Sequence, residues 1–327
     1  MTCSTLDTYL QAITNLRVDK NKKSWADYTY HCSPYKPFLL LSILDHIASG
    51  IITRNFIEPS FELAETFQSY IELLPPTGRK ASMALPFYHL ERSGFWHMLP
   101  REGEVHHTGR SINSVAQLRK IYLAVKLDED LFKLLQMETS REKIRLAIVE
   151  KYFQPPFRAP LVQHALVNQA AKFYSNLLLT TELEVNYRSK DTPPELQYKV
   201  RNYGFRQAIV KIYTHRCALC GIKMQTPEGH TVVDAAHIIP WRESQNDNPT
   251  NGLALCKLCH WSFDEGLMSV DDKYHVMVSR AVMKDTNLPG HILTLSNRLM
   301  FRPQESQNWP SMESFDWHRK KIFRKER

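Results

Sequence analysis

The sequence predicts an α+β protein with more than one domain, and three observations support this. The chain has 327 residues, which is more than one compact core usually organises. Apolar residues in the first half recur at helical spacing. The second half has a short strand-like run between two Cys-x-x-Cys pairs.

Composition and charge exclude several classes of protein. Hydrophobic residues make up 43% of the chain and charged residues 23%, which is ordinary for a globular protein and excludes wholesale disorder. The longest apolar run, residues 38–44, is far shorter than the roughly 20 residues that cross a bilayer. The first residues show no charged segment followed by an apolar core. We therefore expect a cytoplasmic protein, and its net charge of +8 is compatible with polyanion binding.

The first half is predicted to be mainly helical. Residues 37–47 are apolar nearly all round, so their helix should be buried. Residues 84–99 contain short runs that we expect to be extended, with a break at Ser93-Gly94. The two prolines after Gln154 cannot continue a helix, so the first domain boundary is expected there. Apolar spacing predicts helices at residues 6–16, 37–47, 57–73 and 115–153, with a break in the last near Asp128.

The second half begins with a connector and ends in a basic segment. Residues 157–197 are expected to form a connector with one helix, and another helix should run from Val200 towards Cys217. Residues 231–233 have a strand signal, and residues 259–265 should begin a helix. The last eleven residues hold six Lys or Arg and one Glu. This run is either a solvated tail or a non-specific phosphate contact.

Two cysteine pairs give the strongest signal in the sequence. Two residues separate the cysteines of each pair, which lets both thiolates of a tight knuckle face one ion. Two such knuckles complete the tetrahedral sulfur set of structural zinc, and a closed set leaves no position for chemistry. The alternative, four small buried hydrophobic residues, does not explain why the spacing occurs twice. The predicted zinc ligands are Cys217, Cys220, Cys256 and Cys259.

The residues around the knuckles resemble an HNH (ββα-metal) endonuclease domain. The run 232–241 contains His237, the sequence Asn251-Gly-Leu-Ala-Leu leads into the second knuckle, and His260 follows that knuckle directly. The match covers about residues 200–280. The resemblance implies that His237 ends the first strand, Asn251 opens the second, and His260 lies on the helix that follows.

The chemistry of phosphodiester hydrolysis gives these residues roles. It needs a base that activates water and a cation that offsets charge on the phosphate. His237 is the predicted general base, since an ordinary histidine titrates near neutral pH. The resemblance implies that Asn251 orients that imidazole through a side-chain hydrogen bond. His260 and Asp264 lie four residues apart, so on a helix they share one face and could hold one divalent ion, such as Mg²⁺ or Mn²⁺.

Alternatives remain for three of these positions. Asp264 could instead pair or cap on a surface helix, and Asn251 could be a turn residue before its glycine. Many family members place a metal-ligating Asp or His directly before the base, where this chain has Ala236. Asp234 is the nearest carboxylate, but three residues from His237 it lies on the opposite strand face. It would ligate metal only if the strand bends, and is otherwise structural.

Segments of the N-terminal half resemble a second known domain. They are residues 35–41, 84–90 and 93–96, with 141–153 closing the region. They resemble the sulfur-binding domain of phosphorothioate-dependent (type IV) restriction endonucleases, over about residues 34–153. Such enzymes also carry a C-terminal HNH domain, so the two resemblances agree on architecture.

The resemblance implies a pocket for a sulfur atom on the DNA backbone. Sulfur is larger and less well hydrated than the oxygen it replaces, so an apolar pocket accepts sulfur and penalises an oxygen stripped of water. Leu85 and Lys36 depart from the aromatic and arginine that family pockets commonly have. As an alternative, the two prolines of these segments could be only a helix start and a loop entry. The implied pocket residues are Tyr35, Lys36, Leu85, Pro86 and His89, with Arg79 as a second cation candidate.

Taken together, the sequence predicts a modification-dependent restriction endonuclease. A mainly helical domain would recognise phosphorothioated double-stranded DNA, and a zinc-stapled ββα-metal domain would cut it nearby with a divalent ion and the His237 base. A homodimer is left open, and no membrane partner is expected. The alternatives are an HNH restriction nuclease for another modification or unmodified DNA, and a non-catalytic zinc DNA-binding protein. The predicted ranges are a recognition domain at 1–155, a connector at 156–198, the HNH domain at 199–285 and a basic extension at 286–327.

Overall fold

The computed structural model describes residues 5–76, 80–105, 112–180, 193–226, 228–283 and 290–325. The chain divides into two compact units, Met1–Gln169 with Thr226–His230, and Ala170–Gln225 with Thr231–Arg327. The domain boundaries predicted from the sequence remain predictions. No helix within the described residues combines the length and apolarity that a membrane span needs.

In its described residues, the first unit contains helices and a two-stranded antiparallel sheet, and a long helix begins in it and ends in the second unit. Its elements are α1 (Thr5–Thr14), α2 (Tyr35–Ala48), α3 (Phe61–Ile71), α4 (Ala84–His89), β1 (Trp96–Pro100), α5 (Val115–Ile121), β2 (Tyr122–Leu127), α6 (Glu129–Gln136), α7 (Glu138–Tyr152) and the long helix α8 (Pro155–Thr180).

Helix α2 forms the centre of the first unit, as its all-round apolar sequence predicts. Every residue from Pro37 to Ile47 is buried. One of these residues is Asp45, whose carboxylate accepts hydrogen bonds from Arg145 at 2.7 Å, Tyr70 at 2.8 Å and Asn168 at 2.9 Å. A buried carboxylate is tolerated when its lone pairs are filled in this way. This polar cluster ties α2 to α3, α7 and α8.

Two predictions for the first unit are wrong. Residues 84–89 are helical rather than extended, because Pro86 sits in the first turn of α4, where a proline has no hydrogen bond to lose. The predicted helical stretch 115–153 contains the strand β2, which pairs antiparallel with β1. A short apolar run cannot be assigned to helix or strand by its spacing alone, and the pairing with β1 decides it.

The second unit is built around a β-hairpin followed directly by a helix. The strands β3 (Val233–His237) and β4 (Gly252–Cys256) pair antiparallel, with His237 opposite Gly252, and α11 (Lys257–Asp264) starts at the residue after β4. Helix α9 (Pro194–Ile212) packs against both strands. The elements are α9 (Pro194–Ile212), β3 (Val233–His237), α10 (Trp241–Ser244), β4 (Gly252–Cys256), α11 (Lys257–Asp264), β5 (Met268–Val270), β6 (Val276–Val278), α12 (Arg280–Met283) and α13 (Met312–Lys321).

Some basic side chains of the C-terminal segment form hydrogen bonds with other residues of this unit. Arg319 donates to the Val270 carbonyl at 2.7 Å. Arg324 donates to the backbone carbonyl and the carboxylate of Glu265, both at 2.7 Å. Two of its cations therefore have a structural role, whereas Lys321 and Lys325 are exposed.

Candidate active site and metal centre

The four predicted cysteines come together in the second unit. Their sulfur atoms all lie within 4.8 Å of one another, and Cys220 Sγ is 3.8 Å from Cys256 Sγ. Thiolates bound at 2.3 Å around a tetrahedral zinc ion stand about 3.8 Å apart, so the donor set fits such an ion. Within the described part of the chain, this is the one group of three or more metal-binding side chains.

His237 lies at the end of β3, where the sequence placed it. Its ring stacks on Phe205 of α9, with ring centres 3.9 Å apart and planes within 8°. Its Nε2 is 2.7 Å from Oδ1 of Asp247, whose carboxylate is completely buried. The imidazole itself keeps 17% of its side-chain surface exposed. The side chain is therefore held on two sides and still reaches solvent.

Asn251 does not make the hydrogen bond to the imidazole that the resemblance implied. Its side-chain oxygen accepts from the Ile239 N–H at 2.9 Å, and its Nδ2 donates to the carbonyls of Ile239 and Asn246, both at 3.0 Å. A buried amide has to satisfy both of its polar atoms, and the loop after β3 offers backbone groups for both. Asn251 fixes this loop, and the imidazole is bound by Asp247.

His260 and Asp264 share one face of α11, as their spacing predicts. His260 Nε2 and Asp264 Oδ2 are 3.5 Å apart, and both side chains are partly exposed. Burial raises the pKa of the Asp264 carboxyl, and the charge of His260 acts in the opposite direction. An imidazole nitrogen and a carboxylate oxygen at this separation could bind one divalent ion, with water and phosphate oxygens as its other ligands.

Asp234 does not form a metal-binding group with this pair. Its side chain is largely exposed, and its Oδ1 accepts a hydrogen bond from Arg206 Nε at 2.9 Å. The strand β3 pairs with β4 in regular register through Asp234 to His237, without a bend that would turn the carboxylate. This geometry favours the structural interpretation of Asp234.

The first unit has a cavity of about 770 Å³ where the sulfur pocket was expected. Five of the six predicted pocket residues line it: Tyr35, Lys36, Leu85, Pro86 and His89. The sixth, Arg79, lies outside the described residues. The sequence did not indicate the other seven lining residues, because no local motif links them to the pocket and only the fold brings them there. They are Arg17, Val18, Asp19, Trp25, Ser33, Lys80 and Arg92.

Positive charge predominates around the cavity, since four Lys or Arg side chains and one carboxylate, that of Asp19, line it. Burial, together with Arg92 and Arg17, lowers the pKa of Lys36 to about 8. Lys36 also donates to the backbone carbonyl of Arg17 at 2.8 Å. Burial likewise lowers the pKa of His89, with Lys36 and Arg92 adding to the effect. The repulsion between these positive charges disfavours their charged forms, and a bound anion would offset this repulsion. The cavity therefore suits a phosphate group.

Comparison with known protein families identifies the domain that contains the cysteine knuckles and His237. Residues 217–271 match the family described as HNH endonuclease. This stretch contains both cysteine knuckles, β3, β4 and α11. The chain therefore carries an HNH endonuclease domain, as the sequence predicted.

Two solved structures are similar to parts of the chain. One is described as the modification-dependent TagI restriction endonuclease, with 23% identity, 40% coverage of each chain and a TM-score of 0.28. The chain thus spans two fifths of that enzyme. The other is the type IV phosphorothioation-dependent restriction endonuclease ScoMcrA, with 10% identity, coverage of 78% of this chain and 94% of that chain, and a TM-score of 0.32. No curated protein matches the chain.

Proposed function

We propose that the protein is a metal-dependent restriction endonuclease that cuts double-stranded DNA carrying a phosphorothioate linkage. The observation that carries this proposal is the cavity of the first unit. Five residues from two separate sequence segments line one space together with seven that the sequence did not indicate, in a chain that also has a nuclease domain.

The HNH domain supplies hydrolysis. His237 accepts a proton from the water whose oxygen attacks phosphorus, and the P–O bond to the leaving oxygen then breaks. A divalent ion such as Mg²⁺ or Mn²⁺, when bound by His260 and Asp264, supplies positive charge beside the phosphate. Asn251 keeps the loop after the base in place through its three backbone hydrogen bonds.

The cysteine quartet serves a structural purpose in this proposal. Its four sulfurs form a closed set that fits zinc and leaves no ligand position for water. Cys256 ends β4, and Cys259 lies in the first turn of α11. Zinc bound by these cysteines would fix the junction between β4 and α11, the helix that carries His260.

Recognition of sulfur follows from the make-up of the cavity. Leu85 and Pro86 provide apolar surface, and Lys36, Arg17 and Arg92 provide positive charge. A phosphorothioate keeps the charge of a phosphate but offers a weakly hydrated sulfur, so it can use both features. An ordinary phosphate oxygen would lose its water against the apolar wall without gaining a hydrogen bond.

The test is cleavage of matched duplexes that differ only in one phosphorothioate linkage. We expect the modified duplex to be cut faster, and Pro86→Ala to reduce this preference about 10-fold, since it removes apolar surface from the wall. Pro100→Ala, a proline of β1 outside the cavity, should leave the preference unchanged. Equal cleavage of both duplexes by the unmodified protein would contradict phosphorothioate recognition, and an unchanged preference in Pro86→Ala would contradict the pocket assignment.

A further inference from the structure

The carboxylate of Asp247 is buried in the loop between β3 and β4 and accepts hydrogen bonds from three side chains. His237 Nε2 is 2.7 Å from Oδ1, and Arg201 Nη1 is 3.0 Å from the same oxygen. The hydroxyl of Tyr174 donates to Oδ2 at 2.9 Å. Both oxygens are therefore occupied by donors from α8, α9 and β3.

We propose that Asp247 is a positioning residue that fixes the tautomer and the orientation of the His237 imidazole. The inference rests on the proposed function, in which His237 is the general base. It adds a residue that neither the sequence motif nor the family match assigns a role.

The tautomer follows from the charge on the carboxylate. A carboxylate that is salt-bridged to Arg201 has no proton to donate, so the proton of the 2.7 Å contact resides on His237 Nε2. The Nδ1 of a neutral imidazole then carries the lone pair. This is the nitrogen that can accept a proton from water. Once it does, the imidazolium is stabilised by the buried negative charge beside it.

The orientation follows from how rigidly Asp247 is held. Arg201 stacks its guanidinium over Trp241, with 3.9 Å between the guanidinium carbon and the ring centre, so its position is fixed independently of the carboxylate. Asn251 donates to the carbonyl of Asn246, the residue before Asp247. Asn251 thus acts on the base through the backbone that carries Asp247. With Phe205 against the ring face, the imidazole has one well-defined position.

The first measurement is the tautomer of His237 in the purified full chain. In protein labelled with ¹⁵N histidine, two-bond nitrogen–proton correlation spectra distinguish an imidazole protonated on Nε2 from one protonated on Nδ1. The signal that disappears in His237→Ala belongs to this residue. We expect protonated Nε2 and unprotonated Nδ1. The opposite tautomer in the unmodified protein would overturn the proposal.

The second measurement separates positioning from stability. Asp247→Asn should lower the single-turnover cleavage rate about 100-fold while DNA affinity changes less than about 2-fold. Tyr174→Phe, which keeps the ion pair and removes one hydrogen bond, should lower the rate about 3- to 10-fold. The matched control is Asp45→Asn, because Asp45 is also buried against an arginine and a tyrosine but lies in the first unit. It should lower the melting temperature without lowering the rate.

Failure of this inference is distinguishable from failure of the proposed function. If His237→Ala loses cleavage while Asp247→Asn and Tyr174→Phe both keep the full rate, then His237 is the base but Asp247 does not position it. If His237→Ala keeps the full rate, the catalytic mechanism of the proposed function, in which His237 is the base, is itself wrong. If Asp247→Asn does not fold, the Tyr174→Phe rate and the tautomer measurement still decide.

Discussion

Lys36 shows how much of a single residue's chemistry depends on neighbours that are distant in sequence. Its position before a helix-start proline marked it in the sequence, and in the structure it lines the cavity of the first unit. Its pKa, however, is lowered to about 8 by burial and by Arg92 and Arg17, which belong to other segments. Asp247 is a similar case, because it lies in a polar loop without any motif, and only the fold brings it to His237.

The lowered pKa of Lys36 predicts a pH-dependent affinity for DNA. Below about 8 the ammonium is charged and attracts the backbone phosphate, and above this pKa it becomes neutral. The affinity for a phosphorothioated duplex should therefore fall about 10-fold as the pH rises from about 7 to about 9.5. Fluorescence anisotropy at constant ionic strength, with a chelator present to prevent cleavage, measures it. Lys36→Arg should abolish this fall in affinity, since arginine stays charged over the whole pH range. An identical fall in affinity in this variant would exclude Lys36 as its cause.

At the scale of elements, the sequence predicted most helices and the β3–α11 segment. It could not show which structure a short local motif adopts, because that depends on contacts with distant segments. The dipeptide Asn251-Gly252 is typical of tight turns. In the structure Gly252 is extended, with φ of −125°, and opens β4. A glycine is needed there because a Cβ would collide with Ile209 and press on Phe205 of α9. The strand β2 was mistaken for a helix for the same reason, because its partner strand β1 lies in another segment of the chain.

The close approach at Gly252 predicts a stability effect. Gly252→Ala should lower the free energy of unfolding of the second unit by about 1–3 kcal/mol, because the added methyl group overpacks the contact with α9. In an Ile209→Val background, which removes the Cδ1 atom, the same substitution should cost less. Chemical denaturation of the four proteins gives both values. A cost that is the same in both backgrounds would show that this contact is not responsible.

At the scale of the whole molecule, the sequence predicted two functional regions, and the two predictions rest on different kinds of sequence signal. The cysteine spacing and the order of His237, Asn251 and His260 define the HNH domain without help from the fold, and the family match confirms it. The cavity of the first unit, which we propose as the recognition pocket, is lined by residues from distant segments, so its cationic lining emerges only from the structure. The contact between the Asp247 carboxylate and His237 was missed for the same reason.

Removal of zinc should act on the second unit alone. Metal binding to a cysteine quartet is coupled to folding, so a strong chelator should abolish its unfolding transition or lower the melting temperature, and leave the first unit folded. Cys256→Ser should have the same effect, whereas Cys32→Ser, a cysteine of the first unit, should have none. Scanning calorimetry together with elemental analysis measures this. The structural role of the quartet would be contradicted if elemental analysis found no tightly bound zinc, or if chelation left the unfolding of the second unit unchanged.

The most direct test of the account is cleavage of phosphorothioated DNA by the unmodified protein and by His237→Ala, with Mg²⁺ or Mn²⁺ added. The account predicts metal-dependent cleavage by the unmodified protein and a loss of at least about 100-fold in His237→Ala, with DNA binding retained. His275→Ala, a partly exposed histidine of the same unit, should cleave normally. Undiminished cleavage by His237→Ala would contradict the assignment of the base and with it the mechanism.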